Sequence, residues 1–167
     1  MKRLLFFISI MFVSILTSSA QTDISLGMTG FALDTKTSSK VGLNMGLTIN
    51  HFYCDFSGNL ATGKGEELDF SSSSTYKADK LSVGTINIGY NINVLPSRVW
   101  YITPLIGYGY AREIYEDPIG WDTYFYGENK PYFNFGVITK VYINQIGIFG
   151  GIGVIENFKF GLAYKFN

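Results

Sequence analysis

His51, Cys54 and Asp55 bring three metal-ligating side-chain types within five positions of the chain. An imidazole, a thiolate and a carboxylate hold zinc, or form a nucleophile with its base, when their tips converge on one point. The spacing works against convergence. Successive side chains of an extended segment point to opposite faces, so Cys54 opposes the other two, and His51 and Asp55 stand about 13 Å apart at roughly 3.3 Å per residue. His51, the only histidine, therefore reads as a turn residue with unrelated neighbours. The lone Cys54 has no partner for an internal disulfide. No catalytic residue, metal ligand or cofactor is assigned.

Two further stretches invite a chemical reading. Gly147, Gly150, Gly151 and Gly153 resemble a phosphate-cradling loop, but no strand-to-helix transition follows them, which such a loop requires. The segment 113–130 combines Glu113, Glu116, Asp117, Asp122 and Glu128 with Tyr115, Trp121, Tyr124, Phe125 and Tyr126. Aromatic rings on a loop above a rigid scaffold suit binding, so Trp121, Tyr124 and Tyr126 are the candidate contact residues. The competing reading, which the sequence favours, packs these rings on a rim or continues the strands as a hairpin. No calcium-loop spacing accompanies the carboxylates. The segment 63–80, with Ser71 to Ser74 and mixed charge, reads as a polar loop.

The elements that carry these segments are strands. Val41, Leu43, Met45, Leu47 and Ile49 alternate with Gly42, Asn44, Gly46, Thr48 and Asn50. Ile86, Ile88, Tyr90, Ile92 and Val94 repeat the pattern against Thr85, Asn87, Gly89, Asn91 and Asn93. Trp100–Ala111, Phe133–Asn144 and Phe158–Phe166 do the same, and weaker versions cover 23–33, 52–62 and 146–155, making eight strands. Lengths of about 9–11 residues suit a tilted bilayer crossing and exceed the 5–6 of a typical soluble strand. The second face of each strand holds Gly, Asn and Thr with few charges, which suits neither a dry core nor a charged exterior. Small side chains facing the lumen of a narrow barrel explain it.

Residues 1–20 read as a cleaved signal peptide. Lys2 and Arg3 precede a 13-residue apolar run, and Ser18 and Ala20 supply the small residues of a cleavage site. The run is too short for a spanning helix, which needs roughly 20 residues. Two of the 13 basic residues and none of the 13 acidic ones fall in this leader, so residues 21–167, one domain, carry a net charge of −2. That balance gives no support to nucleic-acid binding. With no later apolar run of helix length, entry into a membrane requires a closed β-barrel.

Connections alternate between long (34–40, 63–80, 113–130) and tight (Asn50-His51, Leu95–Arg98, Asn144-Gln145), with a short final link at Glu156-Asn157. One barrel end then has turns and both termini, and the other has loops. Phe52, Tyr53, Trp100, Tyr142, Tyr164 and Phe166 gather at the turn end, and Phe31, Tyr108, Tyr110, Tyr132, Phe133 and Phe158 at the loop end. These are expected as aromatic belts.

The leader ending S-S-A-Q, the eight alternating strands and the terminal F-K-F-G-L-A-Y-K-F-N resemble the small bacterial outer-membrane β-barrels of the OmpA/OmpX-like superfamily. The resemblance implies an all-β, eight-stranded antiparallel up-and-down transmembrane barrel in the outer membrane. It implies lipid and lipopolysaccharide as surroundings and the barrel-assembly machinery as a partner during insertion. Phe158, Phe160, Leu162, Tyr164 and Phe166 would form the assembly signal, although Asn167 follows where that signal ordinarily stops. Lipid A acylases and deacylases are similar in fold and use a histidine near the outer leaflet, whereas His51 falls at the turn end. The expected function is non-enzymatic, structural or in surface interaction through 63–80 and 113–130. A narrow porin-like channel and a soluble lipocalin-like binding barrel are the alternatives.

Overall fold

The structure is a computed structural model that describes residues 21–31, 41–59, 77–95, 97, 99–116 and 124–166. The leader 1–20, most of 63–80, Trp121 and Asn167 lie outside the described residues. In chain order the strands are β1 (Thr22–Phe31), β2 (Val41–Ile49), β3 (Phe52–Asn59), β4 (Lys77–Tyr90), β5 (Ile92–Asn93), β6 (Trp100–Glu116), β7 (Tyr124–Ile143), β8 (Ile146–Gly153) and β9 (Glu156–Phe166). Every pairing is antiparallel and joins consecutive strands, except that β4 pairs with β6 past the short β5 and that β1 pairs with β9 and closes the sheet. β5 prolongs the line of β4, since both pair with β6 in one continuous register. The barrel therefore has eight staves.

The gap between β4 and β5 has a covalent cause. The Asn91 N–H donates to His51 O at 2.6 Å, towards β3, so the neighbouring Tyr90 and Ile92 turn their backbone groups towards β6. Pro104 stands opposite Tyr90 in the register running from Gly89↔Leu105 to Ile92↔Ile102. A proline has no N–H to give to that pair.

The alternation settles which face is which. Leu26, Leu43, Met45, Phe56, Ile86, Ile88, Ile106, Phe135, Ile148 and Leu162 are exposed on the outside, while Ser25, Thr48, Asp55, Asn87, Thr103 and Asn134 are buried inside. A soluble barrel has the reverse arrangement, so the lipocalin-like alternative is inverted with respect to the observed faces. Parity also corrects the belts. Phe52, Trp100, Tyr164 and Phe166 at the turn end, and Tyr108, Tyr110, Phe133 and Phe158 at the loop end, do face outward. Tyr53, Tyr142 and Phe31 share their faces with Asp55, Lys140 and Thr29 and are buried in the lumen, and Tyr132 packs on an inner apolar cluster.

The turns at Asn50 and Asn144 have φ of 58° and 59°, left-handed values that asparagine tolerates better than most residues. The rim at the other end is slanted. The final link lies at Val154-Ile155 rather than Glu156-Asn157, because Ile155 turns inward and its N–H donates to Asn134 Oδ1 at 3.0 Å. On the opposite side the segment 113–130 is largely strand: β6 runs to Glu116 and β7 starts at Tyr124. β3 pairs with β4 only as far as Gly84, and β8 with β7 only as far as Gly136. Above those levels β4, β6 and β7 continue as a three-stranded sheet, from Lys77↔Glu116 and Glu116↔Tyr124 downward.

Candidate functional site

The lumen is built in layers, and β7 supplies one residue to each, from the loop end downward Asn134, Ile138, Lys140 and Tyr142. Above them an apolar plug of Phe31, Leu81, Val83, Ala111 and Ile155 fills the loop end. Below the plug, Lys159 Nζ bridges Asp55 Oδ2 at 2.7 Å and Glu156 Oε2 at 2.8 Å. Asn87 donates to Asp55 Oδ1 (2.7 Å) and to Glu156 Oε2 (3.0 Å). Asn134 donates to Glu156 Oε2 (2.7 Å) and to Asn87 Oδ1 (2.8 Å), and Thr85 Oγ1 donates to Glu156 Oε1 (2.6 Å). Gly107 faces this layer because any larger residue would drive a Cβ into Asn87 and the Ile86 carbonyl.

A second apolar layer, Tyr53, Leu105, Ile138 and Phe149, separates this cluster from the next. There Lys140 Nζ donates to Asp23 Oδ1 at 2.9 Å and Thr48 Oγ1 at 2.8 Å, and lies 4.2 Å from the Tyr53 ring centroid. Thr103 Oγ1 donates to Asn91 Oδ1 at 2.5 Å beside it. At the turn end Lys165 Nζ lies 5.1 Å above the Tyr142 ring and 5.5 Å above that of Tyr101. The column thus sets Asp23, Asp55 and Glu156 against Lys140, Lys159 and Lys165, three charges of each sign. Buried charges persist only when paired and hydrogen-bonded, and Lys140 with Asp23 and Lys159 with Asp55 and Glu156 meet that condition.

Asp55, Asn87, Asn134, Lys140, Thr48 and Thr103 have no accessible surface at all. A water-filled path past these residues would leave some of it. Lys140 pairs with Asp23, and Lys159 with Asp55 and Glu156, so the arrangement ties β1, β3, β4, β7 and β9 together across the barrel.

The residues singled out by type fall elsewhere. His51 sits exposed at the β2–β3 turn, its Nδ1 3.1 Å from Asn91 O and its ring stacked on Tyr90 at 5.4 Å. Cys54 faces outward on β3, and Asp55 faces inward to Lys159. The three do not converge, and no group of three or more His, Cys, Asp or Glu suited to a metal occurs among the described residues. Tyr124 and Tyr126 lie on β7 within the raised sheet, and Trp121 lies outside the described residues. Phe158, Phe160, Leu162, Tyr164 and Phe166 all face outward along β9. In the raised sheet Tyr115 donates to Glu113 Oε2 at 2.6 Å, and this bond to a carboxylate, followed by burial, pushes the phenol up to about 12. Asn59 finishes the β3–β4 seam with its side chain, accepting from Val83 N–H at 2.8 Å and donating to Leu81 O.

The lumen network was only partly visible in the sequence. Lys140, Lys159 and Asn87 stood on small-residue faces, whereas Glu156 read as a link and Asp55 as a failed ligand. The missed signal was the isolated charges, equal in number and opposite in sign, on faces otherwise made of Gly, Asn and Thr.

An apolar wall around a packed polar lumen, closed by eight antiparallel staves, is the fold of the small outer-membrane β-barrels of the OmpA/OmpX-like class. Among solved structures the chain is similar to Ail, the attachment invasion locus protein of Yersinia pestis, with a TM-score of 0.60 and 13% identity over 89% of this chain and 100% of that one. Two more structures of Ail cover the same shares. One, in a phospholipid bilayer nanodisc, gives a TM-score of 0.53 at 12% identity; the other, in complex with the heparin analogue sucrose octasulfate, gives 0.50 at 13%. No protein-family model and no curated protein matches the chain. At this identity the likeness is one of fold.

Proposed function

We propose that the chain is an integral outer-membrane protein, exported by the leader at 1–20, that works by presenting its raised sheet outside the cell. The slanted rim carries this reading. β4, β6 and β7 run on beyond the wall, and β7 from 124 to 134 has no strand partner on its β8 side among the described residues. A free strand edge offers a row of unpaired N–H and C=O groups that an extended segment of another protein can join. Tyr124, Phe125 and Tyr126 open β7 in that sheet, and loops on rigid scaffolds are where binding concentrates. The name of Ail, an attachment protein, supports a surface-contact role of the same class.

The remaining assignments follow from the faces. The outward apolar band contacts outer-membrane lipid and lipopolysaccharide, and the outward residues of β9 serve as the signal for the barrel-assembly machinery. The protein is non-enzymatic: its only histidine is at the turn end, away from the outer leaflet. The packed lumen argues against the narrow channel.

Fractionation with heat-modifiable gel migration tests the location, and protease treatment of intact cells tests the display. The expected result is a heat-modifiable outer-membrane band that intact-cell proteolysis cuts between Glu116 and Tyr124 while the barrel survives. Recovery in the aqueous fraction without detergent, or full protection of that segment, would overturn the proposal. Discrete conductance steps in a planar bilayer would overturn the closed-lumen part alone.

A further inference from the structure

Near the turn end the outer wall is dented. A groove of about 570 Å3 opens between β2, β3, β4 and β6. Its floor is made of short groups, Cys54 and Pro104, and larger neighbours such as Leu47, Ile88 and Tyr90 stand around it. The cause is local. On the outer face Pro104 interrupts the β4–β6 ladder and Cys54 is short, while Gly89 faces the lumen, where a Cβ would come within 2.6 Å of the Pro104 carbonyl and Leu105 Cδ2. Cys54 is a small side chain on an outward row that otherwise reads Phe52 and Phe56.

His51 stands beside this groove, fixed by its stack on Tyr90 and its contact with Asn91 O. Phe52 crosses Tyr90 edge to face, with ring centroids 5.7 Å apart. The groove is thus continuous with the apolar band and is bordered, at its turn end, by aromatic rings and one polar ring at headgroup depth. Its volume lies within the range of small-molecule sites.

We infer that this groove seats one acyl chain of a phospholipid from the leaflet at the turn end, with the head of that lipid beside His51. The inference rests on the membrane reading of the outer band. An occupant must be apolar to match the lining and polar at the end that emerges near His51. An acyl chain on a headgroup meets both demands. The His51–Cys54 spacing that fails as a metal site becomes the depth of this seat: His51 at the headgroup level and Cys54 in the hydrocarbon.

The test is refolding into phospholipid vesicles that carry a trace of phosphatidylethanolamine with a diazirine in one acyl chain, followed by photolysis and peptide mapping. Label concentrated on peptides from 47–54 and 88–106 is expected. Cys54→Leu, which fills the floor and keeps the wall apolar, should lower that label about fourfold for each methylene displaced, while Ile148→Leu on a distant stave leaves it unchanged. Equal labelling of all outward strands, or label unaffected by Cys54→Leu, would overturn the seat. A Cys54–Cys54 disulfide dimer forming under mild oxidation would assign the groove to a second copy and overturn it as well. A chain that labels nowhere and stays outside the vesicles would instead overturn the membrane reading.

Discussion

Lys159 on β9 holds Asp55 on β3 at 2.7 Å across the lumen, 104 residues apart in sequence and with both side chains buried. The same ammonium holds Glu156 three residues earlier. Removing it leaves two carboxylates sharing a site with only neutral donors. Breaking a buried pair by deleting one partner costs about 3–5 kcal/mol. Lys159→Met should therefore lower the unfolding free energy of the micelle-refolded barrel by about that amount in a urea titration. The double variant Lys159→Met/Asp55→Asn should recover part of the loss, since one of the stranded charges goes with it.

Ile88 is 60% exposed on the lipid face, whereas its neighbour Asn87 has no accessible surface and makes bonds to Asp55, Glu156 and Asn134. Ile88→Arg places a charge in hydrocarbon and should cost about 2–4 kcal/mol of insertion free energy near the midplane. Ile88→Leu should be neutral. Heat-modifiable migration after refolding into vesicles reads both, and equal folding of Ile88→Arg and Ile88→Leu would reverse the assignment of faces.

Pro104 deprives the Tyr90 pair of one ladder bond. Pro104→Ala restores the donor, worth about 0.5–1.5 kcal/mol in water and more where water is excluded. It also frees the unfolded chain, a loss of about 0.4–1 kcal/mol. The first effect is the larger in lipid, so the variant should unfold at a higher urea concentration than the parent. A lower midpoint would show that the proline is needed for the shape of the wall.

Tyr115 lies in the raised sheet, beyond the level where β3 and β8 stop pairing, and donates to Glu113. Its phenol is raised above the ordinary value, to about 12. The sign follows from the protonated form being the one that bonds. The interaction is complete below the unfolded value near pH 10 and is lost as pH rises from there to about 12. A site-specific Cζ label on Tyr115, followed by NMR, should titrate at about 12 in the parent and move back towards 10 in Glu113→Gln.

Much of this fold could be read before any coordinates. Val41–Asn50 and Thr85–Val94 alternate without a miss, and period-two patterning has only one geometric outcome in an extended chain. The turn at Asn50 was equally legible, because asparagine accepts a positive φ. Other features were not. Tyr53, Tyr142 and Phe31 looked like belt residues because ring chemistry does not reveal which face a ring is on at a strand end. For the segment 113–130 the favoured reading packs the rings on a rim or continues the strands as a hairpin, but its charges hide the register that pairs Ile114 with Tyr126 and Tyr115 with Phe125.

The residue types and their order thus determined a closed β-barrel with apolar and small-residue faces, since lipid tolerates no open sheet edge and alternation sorts the side chains. They also ruled His51, Cys54 and Asp55 out as one site, from spacing alone. Only the tertiary structure decided which charges meet. Asp55, Glu156 and Lys159 come from different staves, and their contact depends on barrel shear and closure, which no local pattern encodes. The groove at Cys54 is decided in the same way, by short outward groups on two different strands, Cys54 on β3 and Pro104 on β6.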